Sequence, residues 1–299
     1  MIDSTAAASQ LLDTADSLFK KNDLEAALKA YLKTVEEAKR EFNHSVEVEA
    51  LAQVARTLLK LDRKDEGRQW LAQAGAIARD SDPYGFSRYL GVKGRFEWQS
   101  SDLPQARKTL EEMYTYCNAN SLYGRSIDAA NLMSIVAESP EEGIRWSRRG
   151  IEAAEAGDYD SWLGPLWNNL AGTYYDMKQY DSSLECYIKA REYHWRFSGE
   201  VAKLFADYHI GMVYRLLGKL DEAGKWLRPV LAWAERIENH SAIGQACEDL
   251  GEREIALGNT AAGISLLERA KDEYILAGFD KSWPEIIDNV DKRIGKLSG

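Results

Sequence analysis

Residues 167–190 read WNNLAGTYYDMKQYDSSLECYIKA, two short amphipathic helices laid back to back. In the first, Trp167, Leu170, Ala171 and Tyr174 follow spacings of three, one and three, which is one helical stripe. In the second, Ser183, Tyr187 and Ala190 form a stripe at spacings of four and three. A polar hinge at 178–181 separates them. Ala171 and Ser183 are small where two helix backbones must approach, and the aromatics fill the gaps beside them. Helices this short cannot bury an apolar face alone, so the pattern must recur along the chain.

It recurs. A small residue opens the second helix of each pair at Ala27, Gly67, Ala106, Gly143, Ser183, Ala223 and Gly263, in steps of 40, 39, 37, 40, 40 and 40. Four residues on stand Tyr31, Leu71, Leu110, Ser147, Tyr187, Leu227 and Leu267, large in all cases except Ser147. Gly218 and Gly258 follow leucine-bearing helix ends, where a left-handed residue closes a helix. Turn-rich pieces at 81–83, 157–158, 198–199 and 278–280 separate the pairs.

The 167–190 stretch resembles a tetratricopeptide repeat, whose signature is a Trp, Leu, Gly, Tyr run followed by a small residue and an aromatic. Trp167, Leu170 and Tyr174 match it, while Ala171 replaces the usual Gly and Ser183 the usual Ala. The step near 40 is similar to the lengthened repeats of regulatory domains and kinesin light chains. The resemblance implies an all-α, right-handed superhelical solenoid of about seven helix pairs plus a C-terminal capping helix. The chain divides into units at 5–43, 44–81, 82–121, 122–157, 158–198, 199–239 and 240–279 of one solenoid domain, 1–299, with the capping helix at 282–297. The fourth unit is irregular: its first helix, near 126–136, lacks a clean Leu-Gly-Tyr run, and Glu138-Ser139-Pro140 makes an odd connection. That irregularity allows ordinary drift or a hinge. The first helix is expected from Thr5. Near the other end, Ser282-Trp283-Pro284-Glu285 reads as a capping-box start. The helix that follows carries Ile286, Ile287, Val290 and Ile294 on one side, to seal the stack.

Composition narrows the function. At 45% hydrophobic, with nine Trp and fifteen Tyr, there is ample core. A net charge of −10 and a pI near 5.1 argue against nucleic acid or an anionic membrane surface as partner. Cys117, Cys186 and Cys247 form no CxxC and are odd in number. The N-terminus lacks a basic n-region and no apolar run approaches 18 residues, so a reduced, cytoplasmic setting is expected. Asn-His-Ser sequons at Asn43 and Asn239 then carry no meaning as glycosylation sites.

No catalytic set stands out. Histidines 44, 194, 209 and 240 have no metal spacing, and no HExxH or GxSxG is present. The run 218–225 has five residues between its glycines and Trp226 where a phosphate loop needs Ser or Thr. Neither metal, cofactor nor enzymatic activity is expected.

What the resemblance implies for binding is a concave groove lined by the first helices. Carried over position by position, it selects Arg56, Arg88, Arg95 and Trp98 in the early units, Asn168, Asn169 and Tyr175 in the fifth, Tyr208 and Arg215 in the sixth, and Glu248 and Glu252 in the seventh. Such a wall is basic early and acidic late, and would orient an extended peptide: acidic groups toward Arg56 and Arg95, basic groups toward Glu248 and Glu252. His209 reads as a satisfied groove or core residue, and Arg145, Arg148 and Arg149 as a solvated outer face. The expected function is a non-catalytic scaffold binding a partner's peptide segment, as monomer or homodimer. Two alternatives stand beside it: a regulator whose superhelix changes shape on binding a ligand, and a structural or self-associating subunit.

Overall fold

The protein is described by a computed structural model over residues 6–298. Thr5, the expected start of the first helix, lies outside the described residues. By compactness the chain falls into two units that meet at Gly157 and Asp158. The first unit contains α1 (Ala6–Lys20), α2 (Leu24–Arg40), α3 (His44–Lys60), α4 (Lys64–Ile77), α5 (Pro83–Gln99), α6 (Leu103–Ala119), α7 (Tyr123–Val136) and α8 (Pro140–Ala156). The second contains a 3-10 turn at Asp160–Trp162, then α9 (Leu163–Asp176), α10 (Tyr180–Phe197), α11 (Glu200–Leu216), α12 (Leu220–Arg236), α13 (His240–Ala256), α14 (Thr260–Leu276), the short α15 (Phe279–Ser282) and α16 (Pro284–Ser298). Among the described residues there is no strand, as the helical periods require.

The small anchors explain the pairing. Ala27, Ala106, Ser183 and Ala223 are fully buried, and Gly67, Gly143 and Gly263 are buried with them. In the deciding stretch, the Ser183 hydroxyl donates to the Ala171 carbonyl at 2.9 Å, so the polar anchor is satisfied by the backbone it touches. Each unit has its own core. Tyr31, Leu51 and Leu58 are among the large side chains fully enclosed in the first, Leu204 and Leu227 in the second.

Six of the seven turns inside helix pairs place a left-handed residue five positions before the anchor: Asn22, Asp62, Ser101, Lys178, Gly218 and Gly258. Their bonding is that of a helix C-cap. The Asn22 amide bonds the Phe19 carbonyl and the Asp23 amide the Leu18 carbonyl, and Gly218 and Lys219 repeat the arrangement on Arg215 and Tyr214. Helix starts are capped where the sequence supplies an acceptor. Asn43 and Asn239, the residues of the two Asn-His-Ser motifs, accept from the Val46 and Ala242 amides and so begin α3 and α13.

The fourth pair departs from this scheme for a visible reason. Ser139 caps α8 by accepting from the Glu142 amide, while the Glu142 carboxylate accepts from the amide of Glu138, one residue before the cap, and Pro140 stands in the first turn. The odd connection is a helix start. At the far end, Ser282 closes α15 instead of capping α16, and Trp283 stands between them. α16 packs on α14 through Ile286, Ile287, Val290 and Ile294, with Val290 fully enclosed.

Candidate functional site

In the first unit, polar stripes on α1, α3, α5 and α7 meet in one network. Spacing puts Glu49, Gln53 and Arg56 on one face of α3, Arg88 and Arg95 on one face of α5, and Arg125 and Asp128 near each other on α7. The Glu49 carboxylate receives Arg88 at 3.2 Å and Arg125 at 2.5 Å. Arg95 reaches both Asp128 oxygens, at 2.7 and 2.8 Å, and the Gly91 carbonyl at 2.9 Å. The Tyr31 hydroxyl and the Gln53 amide both donate to Asp16, at 2.5 and 2.7 Å. Burial alone would raise the Asp128 carboxyl, but Arg95 and Arg56 outweigh it and hold the group below the usual carboxylate range. Arg56, Arg88, Arg95, Arg125 and Asp128 line a small cavity of about 20 Å³.

The second unit opens a larger cleft of about 480 Å³, lined by residues of α9, α11, α13, α14, α15 and α16. Asp249, 4% exposed, accepts from the Tyr208 hydroxyl at 2.6 Å and from Arg215 at 2.5 Å. Burial and the neighbouring Asp249 push the Tyr208 hydroxyl far above its ordinary range, so it stays a donor. Tyr274 donates to Glu248 at 2.6 Å, and Arg293 of α16 bonds Glu248 and, at 2.7 Å, Glu252. Met212, Phe279 and Ile286 supply apolar surface, while Gln245, Asn289 and Tyr175 bring polar tips to the rim.

Of the residues selected from sequence, Arg56, Arg88 and Arg95 converge on the first cavity, and Tyr175, Tyr208, Arg215 and Glu248 on the second. Glu252 is held by Arg293. Trp98 packs half-buried against the core of Leu90, Ala106 and Leu110. Asn168 and Asn169 lie half-buried on α9, and the Asn168 amide makes no hydrogen bond among the described residues. The basic-early, acidic-late layout changes character, because Arg88, Arg95, Glu248 and Glu252 are each paired within the chain. Desolvated charges on adjacent helices are held only with partners, and the partners come from residues that the stripe-by-stripe reading passed over. Among these missed residues, Asp16, Glu49, Arg125, Asp128, Asn289 and Arg293, Arg125 carried a signal: it lies one repeat step, 37 residues, beyond Arg88.

His209 also differs from expectation. Its ring stacks on Tyr187 at 4.7 Å, but its Nδ1 is buried without a hydrogen-bond partner. Trp167 Nε1 is likewise buried and unpartnered, its ring covered by the Lys189 ammonium at 4.3 Å. Arg145, Arg148 and Arg149 are exposed on α8, with Arg149 stacked over Trp146 at 4.9 Å. All three cysteines are buried, and burial pushes Cys117 and Cys247 up to about 11, away from thiolate chemistry. Among the described residues no three His, Cys, Asp or Glu gather as metal ligands, and no helix is long and apolar enough to cross a membrane.

Residues 168–194 match the tetratricopeptide repeat family. No curated protein matches the chain in sequence. Among solved structures, a signal transduction ATPase with a tetratricopeptide repeat sensor from Pyrococcus horikoshii matches at TM-score 0.73 and 16% identity, covering 97% of this chain and 44% of that one. The chain thus spans under half the length of that protein. The apo form of RapI matches at TM-score 0.62 and 10% identity, over 89% of this chain and 97% of its own. The Cut9–Hcn1 hetero-tetramer of the APC/C matches at TM-score 0.62 and 12% identity, over 98% of this chain and 57% of that one. At these identities the likeness concerns the fold. With its helix pairs, their step near 40 and these matches together, the chain has the fold of tetratricopeptide-repeat proteins, with one repeat of that family matched at 168–194.

Proposed function

We propose that the protein is a non-catalytic interaction module of one solenoid domain, 1–299, that binds a peptide segment of a partner protein on the exposed face of its first helices. The observation that carries this reading is the 480 Å³ cleft of the second unit. It falls in the size range of ligand clefts, roughly 300–1,000 Å³, and sets a little apolar surface, from Met212, Phe279 and Ile286, among many polar groups. Its charged groups are already held in place by one another, so they are pre-organised. The Tyr175 hydroxyl and the Asn168 amide, seven residues apart on one face of α9, are free of internal hydrogen bonds among the described residues. They are suited to a peptide backbone, each such bond contributing about 1 kcal/mol net. Three carboxylates, Glu248, Asp249 and Glu252, face two guanidinium groups, Arg215 and Arg293, so the cleft favours a neutral or cationic segment. The buried free thiols fit a reducing compartment such as the cytoplasm.

The test is affinity capture from native lysate with the double variant Asn168→Ala, Tyr175→Ala as control. Both truncations leave no buried charge stranded, so helicity and melting are expected to stay unchanged while capture falls tenfold or more. Arg95→Ala would be a poor control, since it removes the bidentate partner of the half-buried Asp128 and so perturbs the fold as well as any binding. Capture that is indifferent to the double variant removes the α9 face from the account. The sensor described for the Pyrococcus horikoshii protein favours a second reading, in which an occupied cleft changes how the module meets its partner.

A further inference from the structure

A second recess of the second unit shares no lining residue with the cleft. It is a shallow groove of about 530 Å³ along α12, lined by Asp221, Gly224, Lys225, Arg228 and Pro229 and, from α13, by Arg253. Three cations line it against one carboxylate. Lys225 bonds Glu222 at 2.7 Å, while Arg228 and Arg253 share Glu254. That carboxylate receives Arg253 at 2.5 Å and the Asn259 amide at 2.8 Å, and stands 3.7 Å from Arg228. Arg228 therefore has an ionic neighbour but makes no hydrogen bond among the described residues. Arg253 is 7% exposed. Its Nε donates to the Leu220 carbonyl at 2.7 Å and its Nη1 to Glu254, whereas its Nη2 has only Asp221, 3.8 Å away and beyond hydrogen-bond reach. The guanidinium reaches the groove because residue 224 is glycine: a Cβ there would lie 2.8 Å from Nε and 3.1 Å from Nη2. Pro229 adds an acceptor. It stands inside α12 without an N–H, so the ladder bond to the Lys225 carbonyl, four residues back, is not made.

We infer that this groove receives a phosphorylated side chain of a partner protein, with Lys225, Arg228 and Arg253 on the phosphate and the Lys225 carbonyl on a backbone N–H beside it. Charge decides between anions. The ligand competes with Asp221 and Glu222 for these cations, and another carboxylate brings no more charge than they do. A phosphate monoester carries about −1.5 to −2 at pH 7 and three strong acceptor oxygens, one for each donor. Its bonds to guanidinium groups are charge-assisted. Asp221 does not block the exchange, since its side chain is 93% exposed and turns into water. The exposed Pro229 ring and the Lys225 carbonyl give a flanking backbone a surface to lie on, which favours a phosphorylated segment over free phosphate. The site stands apart from the cleft, and neither reading needs the other.

A 15N NMR titration of the full chain tests this, following the α12 amides and the arginine Nε–H signals. The probes are N-acetylated, C-amidated Gly-phosphoserine-Gly, the same peptide with Ser or with Glu at its centre, inorganic phosphate, and sodium chloride at matched ionic strength. A saturable shift at millimolar phosphopeptide or below is expected. It should be absent with the Ser peptide and chloride, and about fivefold weaker with the Glu peptide and with inorganic phosphate. Arg228→Gln should weaken the phosphopeptide about fivefold and Asp221→Asn strengthen it about threefold. Both side chains are exposed, so helicity and melting are expected to stay unchanged in these variants. Arg145→Gln, on α8, removes the same charge elsewhere and should leave the affinity as it is. Pro229→Ala restores the ladder bond to the Lys225 carbonyl, so melting should rise while the phosphopeptide falls to the affinity of inorganic phosphate. No saturable shift, a Glu peptide as good as the phosphopeptide, or equal losses in Arg145→Gln and Arg228→Gln each overturns the site. Inorganic phosphate as good as the phosphopeptide, or a phosphopeptide indifferent to Pro229→Ala, overturns the phosphorylated segment as its occupant. None of these outcomes depends on whether Asn168 and Tyr175 are needed for partner capture.

Discussion

Phe42 is at once 82% exposed and left-handed, at φ 55°, in the turn between α2 and α3. A bulky residue in that conformation is strained by about 1–2 kcal/mol, and its exposed ring contributes nothing in return. Asn tolerates the conformation, so Phe42→Asn is expected to raise unfolding stability by about 1 kcal/mol, read as a higher urea midpoint at unchanged slope. His209 gives a second prediction at this scale. Burial, and then His194, lower it from 6.5 to about 4. Between those values the unfolded chain binds a proton that the folded chain refuses, so stability rises with pH across that window. At about 1.4 kcal/mol per unit the loss from pH 6.5 down to 4 is on the order of 2–3 kcal/mol. His209→Phe keeps a ring against Tyr187 and removes the proton, so the urea midpoint of this variant should vary less between pH 7 and 5 than that of the wild type. Equal slopes would mean that His209 is solvated in the folded protein.

At the level of helices, the crossing of α13 on α14 depends on two glycines. A Cβ on Gly263 would lie 2.9 Å from the Gly251 carbonyl and 2.4 Å from Ile255 Cγ1, while one on Gly251 would lie 3.0 Å from the Gly263 carbonyl. Backbone oxygen cannot step aside as a side chain can. Gly263→Ala is therefore expected to lose about 1–2 kcal/mol, overpacking outweighing the helix preference of Ala. Gly172 of α9 is the contrast: its nearest neighbour would be the Tyr187 hydroxyl, 4.0 Å away. Gly172→Ala should gain roughly 0.5–1 kcal/mol in the same urea titration. These anchors were legible in the sequence because close approach permits few residue types, and the same few return every 40 residues. The turns were half legible. Gly218 and Gly258 announce a left-handed position, whereas Asn22, Asp62, Ser101 and Lys178 occupy it with residues that also serve elsewhere. The fourth connection looks odd in sequence because Ser139 caps α8 through the Glu142 amide where the other pairs use a left-handed turn residue. Of the candidate site, the stripes were readable but the ion pairs were not. Pairing such as Arg125 with Glu49 joins residues 76 apart, across two repeat steps, which single-helix periodicity does not contain.

Taken as a whole, the chain has the additive character of repeat arrays. The principal helix contacts within each unit run between neighbours in sequence or between the first helices of adjacent pairs, as in α3 with α5 and α11 with α13. Stability is then close to a sum of repeat and nearest-neighbour contributions, and two-state behaviour weakens as repeats are added. The tryptophans allow this to be seen without altering the protein. Trp70, Trp98 and Trp146 lie in the first unit; Trp162, Trp167, Trp195, Trp226, Trp233 and Trp283 lie in the second. Indole fluorescence therefore reports mainly on the second unit, while far-ultraviolet circular dichroism weighs the helices of both. The cores are also chemically unlike: the first surrounds an arginine-rich ionic network, the second a cleft of tyrosines and carboxylates. Salt screens exposed charges most and partly buried pairs least, so it acts differently on two units whose ion pairs differ in exposure. In urea the two probes are expected to give different midpoints, with the gap changing between low and high sodium chloride. Coincident curves at every salt concentration would require the coupling between neighbouring repeats to exceed the differences among them, and additivity would then fail as a description of this chain.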